Sequence, residues 1–351
     1  MPVMSATAAI PIVSIFLVTI FSGCADKNAT IRSEEFIKTF SLSWKKNLPP
    51  PAGSAVSDGT NVYVNADKKI LSLQLKNGKE NWFYNPSNTI EAPPHLHKGM
   101  IIAADTGGTV YCLTSDGSLF WTFQTMDKIT GAPCSAGDFI LLCSYDFNLY
   151  CINSSGELVW KYKTDNYING SAVYKDGFIY IAGCDGVLHI LDRNGCAVRK
   201  IPADTYIAAS PAADNNCIYA GNYAGVFFCF SAQDGSELWK YSTEQPFLAA
   251  PVIGSAHVYA PSQDGHLYAF DRKNGEIRYR FDSGAPLDSS PLCIGESVVF
   301  GNEEGMLFFL DKTGQIIWSY NTGGPVRTPV FSRGKLLVTS GHGVLRVFTA
   351  E

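Results

Sequence analysis

Residues 264–279 read Asp264-Gly265-His266-Leu267-Tyr268-Ala269-Phe270-Asp271-Arg272-Lys273-Asn274-Gly275-Glu276-Ile277-Arg278-Tyr279. An Asp-Gly pair opens a run of apolar and aromatic residues, an Asn-Gly pair closes it, and a second run with bulky residues follows. Asn-Gly supplies the positive φ that a tight hairpin turn demands, so the segment reads as two antiparallel strands of about five residues joined by a hairpin. The pattern recurs in both directions. Gly78 precedes Trp82, Gly117 precedes Trp121, Gly156 precedes Trp160, Gly195 precedes Arg199, Gly235 precedes Trp239 and Gly314 precedes Trp318, each by four residues. With Tyr279 these seven positions are spaced 39, 39, 39, 40, 40 and 39 residues apart, and Trp44 extends the series to eight.

A second landmark keeps step with the first. Eleven or twelve residues after each bulky position comes a small residue or proline ahead of another strand: Ala55-Val56, Pro93-Pro94, Pro133-Cys134, Ala172-Val173, Pro211-Ala212, Pro251-Val252, Pro291-Leu292 and Pro329-Val330. A β-rich run such as Phe178-Ile179-Tyr180-Ile181 follows in each unit. Four short strands in about 40 residues is the arithmetic of a β-propeller blade, which cannot bury both faces until neighbours stack around a ring. The expected fold is all-β: an eight-bladed β-propeller of four-stranded antiparallel blades. The last unit lacks a Trp-bearing strand and the N-terminal side offers one, Phe40-Ser41-Leu42-Ser43-Trp44. This strand is expected to close the ring and remove the open edge.

Composition agrees. The 351 residues include 27 Lys and Arg against 32 Asp and Glu, a net charge of −5, with 13% aromatic and 17% charged residues and 32 glycines. Mild acidity without a clustered basic face excludes a duplex nucleic-acid binder. Ten cysteines occur without a CxxC or adjacent pair. Cys112, Cys151 and Cys229 share one repeat position, where other units carry Ser72 and Ala269, and are read as small apolar filler between blades.

The uncharged apolar run Ala8–Phe21 is too short for a membrane span but suits a signal-peptide core. Ser22-Gly23-Cys24 behind it resembles the lipobox of bacterial lipoproteins, although Met1–Thr7 carries no Lys or Arg and Phe21 stands where leucine is usual. The resemblance implies lipidation of Cys24, and Ala25 after it implies sorting to the outer membrane. Residues 1–23 are then a signal peptide, 24–39 a tether and 40–351 the propeller.

The unit Asp-Gly-x-Leu-Tyr-Ala-x-Asp-x-x-x-Gly-x-x-x-Trp resembles the pyrroloquinoline-quinone-type propeller repeat over essentially residues 40–351. The superfamily holds quinoprotein dehydrogenases and non-catalytic members such as BamB, the lipoprotein of the outer-membrane β-barrel assembly machinery. In it the repeat tryptophan packs onto the neighbouring blade, which implies an architectural role for Trp44, Trp82, Trp121, Trp160, Trp239 and Trp318. The dehydrogenases carry long insertions, a calcium site and a vicinal disulfide. Units of 38–40 residues leave no room for such insertions, and neither an adjacent Cys pair nor an Asp-rich calcium loop occurs. The expectation is a BamB-like, lipid-anchored scaffold on the periplasmic face of the outer membrane. It binds protein partners such as a β-barrel assembly complex, has no cofactor, and is not an enzyme. A quinone-dependent oxidoreductase and a ligand- or carbohydrate-binding sensor are the alternatives.

Comparing equivalent positions separates scaffold from surface. Eight residues after the bulky landmark come Ile90, Ile129, Ile168, Ile207, Phe247, Leu287 and Val326, uniformly apolar and hence structural. The residue before each varies: Thr89, Lys128, Tyr167, Tyr206, Pro246, Pro286, Pro325. Tyr167 and Tyr206, on neighbouring blades, are expected to form one aromatic patch with Asp165 and Asp204 near them, a partner-docking edge. At the channel mouth, where small residues are the rule, Glu91, Asp288 and Arg327 stand out. Arg327 and Asp288 are expected to pair, with a small anionic or polar ligand held by Arg327 as the alternative. His95 and His97 alternate along a strand but lack a third metal ligand.

Overall fold

A computed structural model describes residues 37–351, and over them the chain forms eight four-stranded antiparallel sheets and no helix. The eight-bladed propeller is therefore the observed fold. Cys24, the expected signal peptide at 1–23 and most of the expected tether at 24–39 lie outside the described residues. Strands are lettered A to D from the channel outward. Blade 1 runs from Val56–Ser57 to Glu80–Tyr84, blade 2 from His95–His97 to Leu119–Gln124, and blade 3 from Cys134–Ala136 to Leu158–Lys163. Blade 4 runs from Val173–Lys175 to Ala197–Pro202, blade 5 from Ala212–Ala213 to Glu237–Ser242, blade 6 from Val252–Ile253 to Ile277–Asp282, and blade 7 from Leu292–Ile294 to Ile316–Asn321. Blade 8 takes its first three strands from Val330–Ser332, Lys335–Ser340 and Val344–Ala350, and its fourth from Phe40–Asn47. That fourth strand pairs Phe40 with Ala350 and Asn47 with Val344, so the N-terminal strand closes the ring.

Each blade's B and C strands bury both faces, as in Leu267-Tyr268-Ala269-Phe270, whereas D strands are largely exposed. The sheets must stack because neither face of B and C can meet water. Inner strands converge tightly. A Cβ on Gly131 would sit 2.5 Å from the Gly170 carbonyl oxygen, and one on Gly170 would sit 2.7 Å from the Ser210 nitrogen. Side-chain hydroxyls stitch neighbouring A strands, as where the Ser171 N–H donates to Ser210 Oγ at 2.7 Å.

The Gly-x-x-x-Trp motif works between blades. Trp82 of blade 1 lies over Gly117 of blade 2, Trp121 over Gly156, Trp160 over Gly195 and Trp239 over Gly275, and Trp44 lies over Gly78. Indole N–H groups donate to the carbonyl two or three residues before the glycine: Trp44 to Leu75 and Trp82 to Ser115 at 2.8 Å, Trp121 to Ser154 at 2.9 Å. Each of these glycines has positive φ and lies so close to the ring that a Cβ would come within 2.6 Å of it. Arg199 and Tyr279 occupy the same place over Gly235 and Gly314. Trp318 meets blade 8 where no such turn exists, and Phe40 packs edge-on against it at 5.3 Å. Cys112, Cys151 and Cys229 are buried opposite Trp121, Trp160 and Trp239. Burial pushes the Cys112 and Cys151 thiols up to about 12, which keeps them protonated.

A comparison of two glycines isolates this contact. Gly117 and Gly137 both have positive φ, but nothing lies within 4 Å of a Cβ on Gly137. Gly117→Ala is expected to cost about 1–3 kcal/mol more than Gly137→Ala in denaturant unfolding, because only it drives a methyl group into the Trp82 ring. Equal losses would mean that backbone strain alone dictates glycine at this position.

Candidate functional site

Successive antiparallel strands put the D-to-A crossings and B–C turns on one face of the ring, and the A–B and C–D turns on the other. On the first face the uniformly apolar residues Ile90, Ile129, Ile168, Ile207, Phe247, Leu287 and Val326 are all essentially fully buried. With its neighbour anchored in this way, the variable residue one position earlier sits at the rim. Its backbone carbonyl accepts an N–H from the B–C turn of the next blade: Lys128 from Tyr145 at 3.0 Å, Tyr167 from Cys184 at 2.8 Å, Tyr206 from Tyr223 at 3.0 Å. The crossing and the turn thus present their side chains side by side.

Over blades 3 to 5 these side chains are aromatic. Lys128 Nζ lies 4.5 Å above the Tyr145 ring, a cation–π contact. Tyr145 stacks on Tyr167 with centroids 5.1 Å apart, and Phe147 meets Tyr167 edge-on at 5.1 Å. Tyr206 stacks on Tyr223 at 4.4 Å. Burial, then the hydrogen bond shared with Tyr223, pushes the Tyr206 phenol upward, so it is neutral at physiological pH. Tyr167 and Tyr223 are 41% and 48% exposed, and Met126, on the crossing into blade 3, is 87% exposed. Apolar area left this open on an ordered frame is what a binding surface requires.

The tyrosines named from the sequence are therefore on one face, but they do not stack on each other. Each pairs with a tyrosine from a B–C turn, with Cys184 between the two stacks. Comparing the equivalent B–C turn positions, Thr106, Tyr145, Cys184, Tyr223, Gln263 and Glu303, is the sequence signal that identifies the missing partners. Asp165 and Asp204 are exposed at the same rim, Asp204 with φ of 63°.

The channel-mouth residues differ from expectation. No direct ion pair joins Arg327 to Asp288. The Asp288 carboxylate instead accepts a hydrogen bond from Gln263 Nε2, and Arg327 acts on it only through its field. Burial raises the Asp288 carboxyl despite that field, and burial together with Asp288 raises the Glu303 carboxyl. Glu91 is exposed.

His95 and His97 are buried in a proton-ordered chain. The Ser154 hydroxyl donates to the Asp138 carbonyl at 3.0 Å, so it accepts from His97 Nε2 at 3.1 Å. His97 Nδ1 is then unprotonated and accepts from Ser135 Oγ at 2.9 Å, while His95 Nε2 donates to that hydroxyl at 2.7 Å. Among the described residues no third His, Cys, Asp or Glu joins them as a metal ligand. Burial, then the neighbouring His97, pushes His95 down to about 4 from its ordinary 6.5. Between these two values the unfolded chain binds the extra proton and the folded chain does not. Stability is then full above pH 6.5 and falls as the pH drops toward 4, by about 1.4 kcal/mol per unit. Melts at pH 7.5 and 5.5 are expected to differ by at least that amount, and His95→Val is expected to reduce the difference by about 1 kcal/mol. An unchanged pH dependence in the variant would contradict the neutral chain.

A profile described as outer membrane protein assembly factor BamB matches residues 38–131 and 185–351. A profile described as the lambda-carrageenase β-propeller domain matches residues 135–218. No curated protein sequence matches the chain significantly. Among solved structures, BamB from Moraxella catarrhalis superposes with a TM-score of 0.76 at 20% identity, covering 89% of this chain and 98% of that one. The computationally designed protein Ika8 superposes with a TM-score of 0.79 at 14% identity, covering 89% and 99%. At these identities the superpositions establish the shared fold.

Proposed function

Since the chain belongs to the family of the outer membrane protein assembly factor BamB, we propose that it is a non-catalytic scaffold for outer-membrane β-barrel assembly, anchored at the periplasmic face of that membrane through lipidated Cys24. The rim formed by Tyr145, Tyr167, Tyr206 and Tyr223, with Asp165 and Asp204 beside it, is its partner-docking edge. The observation that carries this reading is that the exposed aromatics of this face, Tyr167 and Tyr223, lie together over blades 3–5 in stacks with Tyr145 and Tyr206. The equivalent crossing positions of blades 6–8 hold Pro246, Pro286 and Pro325. The lipobox-like Ser22-Gly23-Cys24 supports the anchor.

Orientation supports the same division of labour. The described chain enters at Phe40, opposite Ala350 at the end of the blade 8 C strand, and Lys38 N donates to the Glu351 carbonyl at 2.8 Å. This entry lies on the A–B and C–D turn face. A tether there turns the aromatic rim away from the anchored side and toward partners.

The test is gentle detergent extraction with mass identification of co-purifying proteins and a simultaneous absorbance scan. A β-barrel protein with periplasmic repeats is expected to co-purify, and Tyr167→Ala with Tyr206→Ala is expected to lower its recovery at least about tenfold, the loss of two aromatic anchors. Unchanged recovery with wild-type melting behaviour would remove the rim from the interface. A stoichiometric quinone chromophore would favour the oxidoreductase instead.

A further inference from the structure

The seam where blade 8 meets blade 1 holds an open cleft of about 500 Å³, within the size range of small-ligand sites. It lies on the A–B and C–D turn face, the face that the tether enters. Lys76, Arg333 and Lys335 line it, together with the amides of Asn61, Gln74 and Asn81. No carboxylate lines it, although the chain as a whole is acidic.

The nearest acids are occupied elsewhere. The Asp58 carboxylate turns into its own loop behind the wall, accepting from the Thr60 and Asn61 backbone N–H groups at 2.7 and 2.6 Å, from the Asn61 side-chain amide at 3.3 Å and from the Tyr63 hydroxyl at 2.9 Å. Glu80 is held by Lys46 at 3.1 Å. Among the described residues neither Lys76 nor Arg333 has an ion-pair partner. Lys335 Nζ is steadied by the Thr349 hydroxyl at 2.6 Å and the Ser43 hydroxyl at 3.3 Å, neither of which neutralises it.

The walls are ordered. Asn81 Nδ2 donates to Asn61 Oδ1 at 2.9 Å, and Gln74 Nε2 donates to Asn81 Oδ1 at 3.3 Å. The Arg333 side chain packs on Gly59, where a Cβ would sit 2.8 Å from its Nε. Lys335 is a departure from the repeat. It opens the B strand opposite Ser332, a position held by Met100, Phe139 and Phe178 in blades 2, 3 and 4. In blades 1, 5, 6 and 7 the B strand opens with Asn61, Cys217, His257 and Ser297, so only the closing blade places a lysine or arginine there, and the blade 3–4 seam sets Asp138 beside Arg193 where this cleft has no carboxylate.

We propose that this cleft binds a phosphate group presented by an anionic lipid headgroup. The guanidinium offers a planar donor fork and the two ammonium groups offer point charges, held over a wall of amides bonded to one another, a set suited to a phosphate ester. The headgroup is the source because the cleft shares its face with the entering tether, where an anionic leaflet attracts unopposed Lys and Arg.

The test uses the mature chain from residue 24 carrying Cys24→Ser, so that neither the apolar run 8–21 nor an acyl group can anchor it, in co-sedimentation with phosphatidylglycerol or phosphatidylcholine vesicles. Binding to phosphatidylglycerol alone is expected, weakened at least about tenfold by K76Q/R333Q and less than twofold by K161Q/K163Q, which removes equal charge from the exposed outer strand of blade 3. Both substituted positions of the first pair are exposed, so the variant is expected to melt as wild type does. Equal loss in the two variants, or no vesicle binding, would overturn the proposal. If vesicles fail but millimolar inorganic phosphate raises the melting temperature of wild type and not of K76Q/R333Q, the headgroup assignment is overturned in favour of a free phosphate ester.

Discussion

The contact on which the ring depends is an aromatic ring laid over a glycine of the next blade. A flat side chain on each D strand needs a bare backbone to lie on, and the hairpin turn supplies it at positive φ, where glycine is favoured anyway. For Trp44, Trp82, Trp121 and Trp160 the indole N–H then satisfies a turn carbonyl under the ring, whereas Trp239 keeps the packing without that bond. Turn and tryptophan are thus fixed relative to each other across the seam. Because side chains alternate faces along a strand, one residue inserted between the glycine and the D-strand ring would point that ring away from its neighbour. The constant four-residue step from glycine to ring follows from this requirement, while unit length varies by a residue or two elsewhere in the blade. Arg199 and Tyr279 fill the same role, and at the blade 7–8 seam Phe40 meets Trp318 in place of a glycine turn.

That constraint ties down one face and frees the other. The C–D turns are gripped by the preceding blade, while the D-to-A crossings and B–C turns are held by their backbones, by inward polar side chains such as Thr125, Asn222 and Asn302, and by one buried apolar residue per crossing, which leaves the outward side chains unengaged. Side chains there vary without cost to the frame, and in blades 3–5 they vary toward tyrosine. At the closing seam, where one blade is assembled from both ends of the described chain, the turn face itself departs from the repeat and gathers cations.

The ring was legible because repetition in register is a strong signal: eight units, hairpin dipeptides and one unclosed blade lead to an eight-bladed propeller and to Phe40–Trp44 as its last strand. The site was legible only by half. Tyr167 and Tyr206 stand out in their column, but the stacks are completed by Tyr145 and Tyr223, brought alongside by crossing-to-turn backbone bonds that follow no strand periodicity. The Arg327–Asp288 pairing failed for a related reason. Opposite charges on neighbouring blades suggest a pair, yet the carboxylate is held by Gln263, an uncharged residue of the B–C turn that a search for charge pairs passes over. The inter-blade pairing of Trp with the following unit's glycine is likewise hidden in a motif that looks local.

The most direct test of the two-faced account is site-specific photocrosslinking in intact cells, with a photoreactive phenylalanine analogue placed at Tyr223 or at Lys312 on the opposite face. The account predicts an adduct with a β-barrel assembly protein from position 223 and none with that protein from position 312. The reverse pattern, with that adduct from position 312 alone, would contradict it.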